Sequence, residues 1–498
     1  MDLKARQLIT VVTILLTAAT NYSIALEPNN PEWKRPVFAN VMVNVDAVLA
    51  DVSHHPIGIN VNFFMDSDYF GPKRSTVEAL KAMGVKWLRY PGGEKSDMYL
   101  WSVPPFDKPR PTMARTGKGA VRDRESMLVD YARFKYDVLD FDEFMQMCSR
   151  IGAEPVIGVA ADEYLNDYPP GCTVTDRDTL IKTAAEWVRY ANIAKKYNVK
   201  YWIIGNETWH PANKKSTPEI YAKDVVDFAK AMKAVDPTIK IFPNGHTVKW
   251  WETVLTASVD YVDGISISCY PLWGFEGGYD AYRDTLAANT IGPVYAAAKG
   301  IEKFVPDSRK GDFKIIVNEY GPFDWIGMWP LTNDMGHAIA CFEMTGEMLK
   351  NPQVLCSQFW NTRWLENLED KNQPFDALDK DGNFTPTGHA LAIWGNFLAK
   401  KMVYANSPIV RIQTFASFDG EKRQLYVYIV NRTGKQEQAV LHVEGGIVES
   451  VVQRWELVGK DDADTKPVWQ KCEIERGADP LSLFVPGTSI TVVEYRLK

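Results

Sequence analysis

Two glutamates stand at the ends of apolar runs, each directly after an asparagine. The run YWIIGNE ends at Glu207, and the run KIIVNEY carries Glu319 as its sixth residue. Such runs are typical of parallel strands buried on both faces, so a reactive side chain emerges where the strand ends. In a parallel barrel all strands end on one face, which predicts that both carboxylates open onto one cleft. Two carboxylates facing a cleft are the minimum equipment for hydrolysing a glycosidic bond.

The two glutamates are expected to play different roles. An ionised Glu319 raises the pKa of a nearby Glu207, so Glu207 keeps its proton and acts as the acid. Once Glu319 is glycosylated its charge is gone, and Glu207 then serves as the base for water. A carboxyl separation of ~5–5.5 Å predicts retention by double displacement, and ~6.5–9.5 Å predicts inversion. The sequence leaves that distance open.

Three polar residues at neighbouring positions are candidates to support the pair. Arg89 follows a predicted strand and is the natural cation to hold Glu319 ionised. Tyr270 could donate a hydrogen bond to the same carboxylate, and Asn206 could bind a sugar hydroxyl. The alternative is that an Arg or Tyr at a strand end only satisfies buried backbone groups.

Tryptophans near the predicted strand ends are candidate sugar platforms, because an indole can stack on the apolar face of a sugar. Trp360 closes the last predicted barrel strand and is expected to form the floor of the cleft. Trp209 and Trp325, with Trp273 and Trp329, lie in loops after strands and are weaker candidates. The alternative for each is core packing.

The spacing of apolar runs predicts a (β/α)₈ barrel over residues 53–399. Eight strands are predicted at 57–64, 85–91, 155–161, 199–206, 239–244, 263–270, 313–319 and 354–361. Helices are predicted near 73–83, 138–151, 180–197, 218–234, 249–258, 279–300, 333–350 and 387–399. This alternation fits an α/β TIM barrel. A doubly wound open sheet is the alternative, but its glycine-rich phosphate turn is absent.

Residues 400–498 change pattern and predict an antiparallel β-sandwich. Runs such as QLYVYIV at 424–430 and SITVVEY at 489–495 are β-branched and separated by turn residues. The strand-like run VMVNV within the segment 26–52 is expected to join this domain. The sandwich is expected to brace the barrel; a sugar-binding role is the alternative.

Composition and charge exclude several classes of protein. With 46% hydrophobic and 24% charged residues the chain is an ordinary globular one, and its net charge of −7 argues against a nucleic-acid partner. The six cysteines are widely spaced without a CxxC pair, and the seven histidines are scattered. We therefore predict no disulfide framework, no metal site and no organic cofactor.

The N-terminus predicts export. Lys4 and Arg6 precede an apolar run from Leu8 to Ala19, and SIA at 23–25 is a small-x-small cleavage site. Residues 1–25 are interpreted as a cleaved signal peptide of a secreted or periplasmic protein. The run is too short for a usual membrane span, although an uncleaved signal anchor is the alternative. No later stretch is apolar for long enough to cross a membrane.

A long insertion at about 102–136 carries eight basic residues against four acidic ones. Long loops on the catalytic face of a barrel usually shape substrate access. One interpretation is a basic wall for a uronate or sulfated sugar chain, and the alternative is a solvated loop.

The glutamate motifs at the fourth and seventh predicted strands, 112 residues apart, together with the trailing sandwich, resemble clan A glycoside hydrolases. That resemblance implies that Glu207 is the acid/base and Glu319 the nucleophile. The motif RYPGG at 89–93, followed by Tyr99 and Trp101, is similar to the second-strand motif of family 51 α-L-arabinofuranosidases. The sequence departs from the family 51 pattern at two places. The family has a glutamate near the end of its first strand, where this chain reads NVNFF at 60–64, and a histidine in its sixth-strand motif, where this chain has Ser268-Cys269.

The sequence thus predicts a secreted retaining glycosidase that acts on a plant- or algal-type carbohydrate and resembles arabinofuranosidases. β-Xylosidase, β-glucuronidase and endo-acting galactanase or agarase specificities stay open. A transglycosylase and a non-catalytic glycan-binding protein on the same fold are further alternatives. Oligomeric state is not encoded in these patterns.

Overall fold

The described part of the chain begins with a long strand, β1 (Phe38–Asp51), that joins the C-terminal domain. The computed structural model describes residues 38–114, 129–130, 133–134, 137–165, 175–211, 213, 215–365, 369–474 and 479–498. The predicted signal peptide and most of the basic insertion lie outside these residues.

Eight parallel strands form a barrel with its ends nearly joined. They are β2 (Ile57–Asn60), β3 (Trp87–Tyr90), β4 (Glu154–Val159), β5 (Tyr201–Ile204), β6 (Lys240–Pro243), β7 (Gly264–Cys269), β8 (Lys314–Tyr320) and β9 (Val354–Phe359). Their order is β6-β5-β4-β3-β2-β9-β8-β7, and a parallel bridge from Asn244 to Ser266 closes the remaining gap. The predicted barrel is therefore confirmed.

Helices follow the barrel strands as the alternation predicted. They are α1 (Thr76–Met83), α2 (Phe141–Ile151), α3 (Arg177–Val188), α4 (Pro218–Val235), α5 (Val248–Ser258), α6 (Gly278–Tyr282), α7 (Gly292–Phe304), α8 (Asp307–Lys310), α9 (Met335–Leu349) and α10 (Pro386–Phe397). Side chains at the N-caps accept a backbone N–H in the first turn of seven of these helices. These caps are Ser75, Asp140, Asp176, Thr217, Thr247, Asp334 and Thr385. Such caps satisfy N–H groups that the helix itself leaves unpaired, which explains why the helices begin where they do.

Two predicted helices differ from the structure. The single helix expected at 279–300 is wrong: α6, a 3₁₀ turn at Ala287–Ile291 and α7 occupy that stretch. Pro293 stands in the first turn of α7, where its missing N–H costs nothing, but it could not continue a helix from upstream. The helix expected at 180–197 ends as α3 at Val188 and continues as a π-helical turn, Arg189–Ala194.

The C-terminal domain is one antiparallel sheet of nine strands that curls around its own core. Its strands after the barrel are β10 (Lys401–Asn406), β11 (Ile412–Asp419), β12 (Gln424–Asn431), β13 (Glu437–Glu444), β14 (Val448–Val458), β15 (Val468–Cys472), β16 (Ser482–Val485) and β17 (Ser489–Leu497). The order is β15-β14-β17-β12-β11-β10-β1-β13-β16. Strands distant in that order, such as β16 and β17, contribute to one apolar core, so the predicted β-sandwich is confirmed.

Two barrel helices are covered by the C-terminal domain. Every residue of α9 is buried, which leaves none of its faces to solvent. Trp394 of α10 packs against Tyr428 of β12 with ring centroids 4.4 Å apart. Beside this apolar contact, Arg432 donates to both carboxylate oxygens of Glu343 on α9, at 2.8 and 2.5 Å. The strand β1, which precedes the barrel, pairs with β10, so the domain is built from both ends of the described chain.

Candidate active site

A buried guanidinium, Arg89 at the end of β3, joins the two glutamate motifs. Its Nη1 donates to Oε1 of Glu319 at 2.8 Å and to Oδ1 of Asn60 at 2.9 Å, and its Nη2 donates to Oδ1 of Asn206 at 2.5 Å. Asn206 directly precedes Glu207, so the Arg89 side chain connects the predicted acid/base motif to the predicted nucleophile, Glu319. The structure therefore brings both predicted catalytic residues to one place on the C-terminal face of the barrel.

Glu319 is arranged to carry a negative charge. Its Oε1 accepts from Arg89, and its Oε2 accepts from the Tyr270 hydroxyl at 3.0 Å. Burial raises the pKa of the Glu319 carboxyl, while the charge of Arg89 and the hydrogen bonds from Arg89 and Tyr270 oppose that rise. Because hydrogen bonds to the ionised form favour it, Glu319 ionises before its less supported partner Glu207.

Glu207 is arranged to keep a proton. Burial and the charge of Glu319 raise its pKa to about 8, and the facing hydroxyl of Ser268 only partly opposes this. Its backbone is in the left-handed region, with φ at 45°, which is uncommon for a residue with a side chain. Such strain persists only where neighbours hold it, and it concentrates at functional sites.

Hydrogen bonds to the flanking residues hold this strained turn. The N–H of Gly205 donates to the Val159 carbonyl at 2.9 Å, and that of Thr208 donates to Oδ1 of Asn244, also at 2.9 Å. On the far side, the Glu207 carbonyl accepts from the N–H of His210 at 2.7 Å. The direction of the Glu207 side chain is thereby set by the end of β5 and by its neighbours on β4 and β6.

Three of the tryptophan candidates, Trp360, Trp209 and Trp325, pack against neighbouring residues, and their contact with a sugar stays a prediction. Trp360 is 8% exposed, with its ring against Gly93 so closely that no Cβ would fit there. Trp209 stacks on His246 with centroids 4.3 Å apart, and Trp325 stacks on Phe375 at 5.2 Å. Each of these three rings thus has part of its surface covered by protein.

The other two tryptophan candidates, Trp273 and Trp329, differ in exposure. Trp273 is 55% exposed on the rim after β7, whereas Trp329 is buried and packs on His337 with centroids 4.4 Å apart. Trp329 is therefore packed among protein side chains, and its role as a platform stays a prediction. Tyr270 lies edge-on to Trp325, which links the rim to the hydrogen bond on Glu319.

Sequence reasoning missed a third carboxylate beside the pair. Glu94 follows the glycines after β3, its side chain is 55% exposed, and its charge raises the pKa of both Glu207 and Glu319. Its position directly after the PGG turn on the catalytic face was the available signal. Asn60 and Ser268, where the sequence departs from the family 51 pattern, both face the catalytic groups.

The described residues hold no cluster of His, Cys, Asp and Glu suited to a metal ion. Five of the six cysteines lie in this part of the chain, and all five are free thiols. Over the same residues, no helix combines the length and the apolar character that crossing a bilayer requires.

An eight-stranded barrel with glutamates at its fourth and seventh strands, followed by a β-sandwich, is the arrangement of a clan A glycoside hydrolase. Comparison with known proteins indicates which family within this clan the chain resembles. The family model of the alpha-L-arabinofuranosidase 1 domain matches residues 79–270. Alpha-L-arabinofuranosidase C of Emericella nidulans is 34% identical over 259 residues, which cover 47% of this chain and 45% of that protein. The chain thus matches less than half of the length of that relative.

Solved structures share the fold over most of the chain. The alpha-L-arabinofuranosidase of Thermotoga maritima, solved with arabinose, superposes with a TM-score of 0.69 at 20% identity and covers 92% of this chain and 99% of its own. A family 51 alpha-L-arabinofuranosidase of Bifidobacterium longum gives 0.69 at 19% identity, covering 93% and 100%. The chain is therefore similar to family 51 alpha-L-arabinofuranosidases in fold and, over residues 79–270, to the arabinofuranosidase domain in sequence.

Proposed function

We propose that this protein is a retaining glycoside hydrolase that removes α-L-arabinofuranosyl or similar neutral sugar units from a plant- or algal-type carbohydrate. The observation that carries the proposal is the Arg89 bridge between Asn206 and Glu319. It places an ionised carboxylate beside Glu207, whose pKa of about 8 keeps it protonated at neutral pH. A nucleophile and an acid therefore meet in one buried site.

The proposed mechanism is double displacement. Glu319 attacks the anomeric carbon while Glu207 gives its proton to the departing oxygen, which leaves a glycosyl ester on Glu319. Loss of the negative charge on Glu319 then lowers the pKa of Glu207, so Glu207 can take a proton from water as that water attacks the ester. Tyr270 and Arg89 hold the carboxylate of Glu319 before attack and receive it again after hydrolysis.

The sugar specificity rests on the family 51 similarity and on the charge of the cleft. The Glu94 carboxylate raises the pKa of both glutamates, so it adds negative potential that a uronate would meet, and its ion pair with Lys95 at 3.3 Å offsets part of that potential. This favours a neutral sugar over a β-glucuronide. Asn60 and Ser268 lie where the sequence departs from the family 51 motifs, so a specificity other than arabinofuranoside, such as β-xyloside, is the alternative.

The test is hydrolysis of a panel of aryl glycosides by the purified protein. The panel contains α-L-arabinofuranoside, β-xyloside, β-galactoside and β-glucuronide, with arabinan and an algal galactan as polymers. We expect turnover of a neutral glycoside and a loss of about 10³-fold or more in Glu207→Gln and Glu319→Gln. Glu276→Gln, an exposed carboxylate after β7, is the matched control and is expected to keep activity.

The products separate the remaining alternatives. Proton NMR of the first product should show the anomeric configuration of the substrate, because two inversions restore it. Binding of the sugar without turnover would instead indicate a glycan-binding protein. Coupled sugars at low acceptor concentration would indicate a transglycosylase. Activity that survives both glutamate substitutions would contradict the assignment of the catalytic pair.

We also propose that the protein is exported by its N-terminal apolar run, Leu8 to Ala19, which supports secretion or a periplasmic location. The measurement is the intact mass of the protein recovered outside the cytoplasm. Cleavage after Ala25 gives a chain that begins at Leu26, whereas a retained leader would favour the anchor.

A further inference from the structure

Two buried aspartic acids lie beneath the turn that carries Glu207. Asp97, which is 5% exposed, accepts a hydrogen bond at Oδ2 from the backbone N–H of Asn206 at 3.0 Å. Asp162, which is 4% exposed, lies close enough to the Asp97 side chain and to the Thr208 hydroxyl for both groups to act on its pKa as hydrogen-bond partners. The two acids therefore hold the residues on both sides of Glu207.

Close backbone packing brings these acids to the turn. Asp97 ends the 3₁₀ helix Glu94–Asp97 after β3, and Ser96 of that helix lies 3.3 Å from where a Cβ of Gly158 on β4 would be. Gly205 has φ at 71°, and a Cβ there would lie 2.7 Å from Oγ1 of Thr208. The glycines on β4 and after β5 thus allow the loops to approach.

The pair needs a proton to hold together. Two carboxylates cannot hydrogen-bond to each other, so one of Asp97 and Asp162 is protonated. Among the described residues, Oδ1 of Asp97 and Oδ2 of Asp162 are buried without an N–H or O–H donor, so a proton shared between the two acids would satisfy both atoms. Burial raises the pKa of both acids, for Asp162 to about 6, and the charge of Asp162 raises that of Asp97 further. The other titratable groups facing the pair are Glu163, Tyr221 and Asp224, none of them a cation.

The turn at Asn206–Thr208 requires stabilisation by its neighbours, because the backbone of Glu207 adopts a disfavoured left-handed conformation. On its other side the N–H of Thr208 is fixed by Asn244, whose Nδ2 also donates to Oγ1 of Thr208 at 2.9 Å. Without Asp97 the N–H of Asn206 would be buried and unpaired, and the turn could relax away from its strained form. The direction of the Glu207 carboxyl would change with it.

We propose that Asp97 and Asp162 form a proton-sharing pair that positions Glu207 to protonate the departing oxygen. Neither acid touches the reacting atoms, so both are positioning residues, and the inference rests on the proposed glycosidase function. Its particular consequence is that loss of the pair weakens proton donation and leaves the attack of Glu319 largely intact.

The experiment compares Asp97→Asn with Asp97→Ala on two glycosides of the same sugar. One substrate has a 2,4-dinitrophenyl leaving group, which departs without a proton, and the other has a methyl leaving group, which needs one. Asparagine still accepts from the N–H of Asn206, and its amide N–H replaces the shared proton, so we expect kcat within about 3-fold of wild type on both.

For Asp97→Ala we expect kcat to fall about 10²-fold on the methyl glycoside and less than about 10-fold on the dinitrophenyl glycoside, with KM little changed. Thr208→Val, nearly the same shape, removes the link from Asp162 to the turn and also the bond from Asn244 Nδ2, while the bond from the Thr208 N–H to Asn244 stays. It should show the same preference and provides the test if Asp97→Ala does not fold. Asp419→Ala is the matched control: this buried acid accepts from the N–H groups of Glu421 and Lys422 far from the site, so it should lower Tm without a leaving-group effect.

The outcomes are distinct. Equal losses of Asp97→Ala and Thr208→Val on both substrates, or no loss on either, would overturn the positioning role while wild-type activity upholds the proposed function. A wild-type protein that hydrolyses neither substrate would overturn the proposed function, and the positioning role with it.

Discussion

Arg89 acts on the chemistry through both of its nitrogen termini. A planar guanidinium can bind Asn206 with one terminus and Glu319 with the other, a geometry that the single ammonium of lysine cannot reproduce. Because Arg89 is fully buried, its charge acts on Glu319 with little screening by water. The charge of Glu319 therefore depends on Arg89 more than on the single hydrogen bond from Tyr270.

Arg89→Lys is expected to lower kcat/KM about 10²-fold, since a hydrogen bond to a charged group contributes about 1.5–3 kcal/mol. The acidic limb of the pH profile should also move upward, because a less supported Glu319 ionises at higher pH. Tyr270→Phe, which removes only one bond to Glu319, should show a smaller change of the same sign. A pH profile identical to wild type in both variants would contradict this role for the two residues.

Glu207 should cost the protein stability as the pH rises. Its pKa is raised from 4.5 to about 8, so between these values the unfolded chain is ionised at Glu207 while the folded protein keeps the proton. The folded state binds more protons in this window, and the free energy of unfolding therefore falls as the pH rises. The basic limb of kcat/KM should lie near the same upper value, about pH 8.

Glu207→Gln removes that penalty, so its Tm should exceed that of wild type by an amount that grows from about pH 5 to about pH 8. Glu319→Gln is the counterpart: it leaves the Arg89 guanidinium buried without its carboxylate and should lower Tm. Differential scanning fluorimetry across this range measures both. A constant difference between Glu207→Gln and wild type would contradict the raised pKa.

At this scale the sequence predicted residues that stand at strand ends. Glu207, Glu319, Arg89 and Tyr270 were found because parallel strands open onto one face. Asp97 was not, since it lies in a loop and meets the site only through folding of the β3 and β4 loops together. Asp97 and Asn206 are 109 residues apart, so no local sequence pattern indicates that they meet.

At the scale of elements, the link between α9 and the sandwich is a buried ion pair. Arg432 and Glu343 are both fully buried, and the Tyr282 hydroxyl also donates to Glu343 at 2.5 Å. Removing one partner of such a pair leaves a charge in a low-dielectric interior, whereas replacing both by apolar residues is often tolerated. The pair therefore matters most when it is broken on one side.

Arg432→Leu is expected to cost about 3–5 kcal/mol, and the double change with Glu343→Leu should recover much of that loss. Arg411→Ala is the control, because its bond to Asp284 joins the same two domains but lies at the surface, where such pairs contribute at most about 1 kcal/mol. Urea unfolding midpoints measure all three. Equal losses for Arg411→Ala and Arg432→Leu would argue against the role of burial.

Most strands and helices could be predicted from local sequence patterns, because buried parallel strands are apolar runs and helices begin at capping residues. The break in the predicted helix at 279–300 was missed because its apolar spacing continues through Pro293, and only the proline marks the restart. The π-helical turn at Arg189–Ala194 has no comparable signal in the sequence. The exact ends of helices therefore depend on local features such as a proline or a π-helical turn, whereas the order of strands and helices along the chain does not.

For the whole molecule, the two domains form a single core over α9 and α10. Residues of both helices and of the sandwich, such as Phe342, Trp394 and Phe415, pack in the same buried cluster. Without the sandwich these apolar faces would meet water. The barrel therefore depends on the domain that follows it.

Ending the chain at residue 399 should give a protein that is largely insoluble or binds a hydrophobic dye such as ANS, because the covered faces of α9 and α10 become exposed. Soluble yield and dye fluorescence measure this. A full-length protein with Phe484→Ala, a change at an exposed ring of the sandwich, is the control and should stay soluble. A soluble, active barrel from the shortened chain would show that the domains are independent.

The position of β1 sets an order of events during synthesis. This strand leaves the ribosome before the barrel, but its neighbours β10 and β13 are made only after some 350 further residues. Until then, Val41, Val43 and Val45 have no strand to pair with or core to enter. During most of translation the nascent chain therefore exposes an apolar, strand-forming segment that has no partner strand. Such a segment can pair with other chains and aggregate, so we expect it to need protection until the last strands are made.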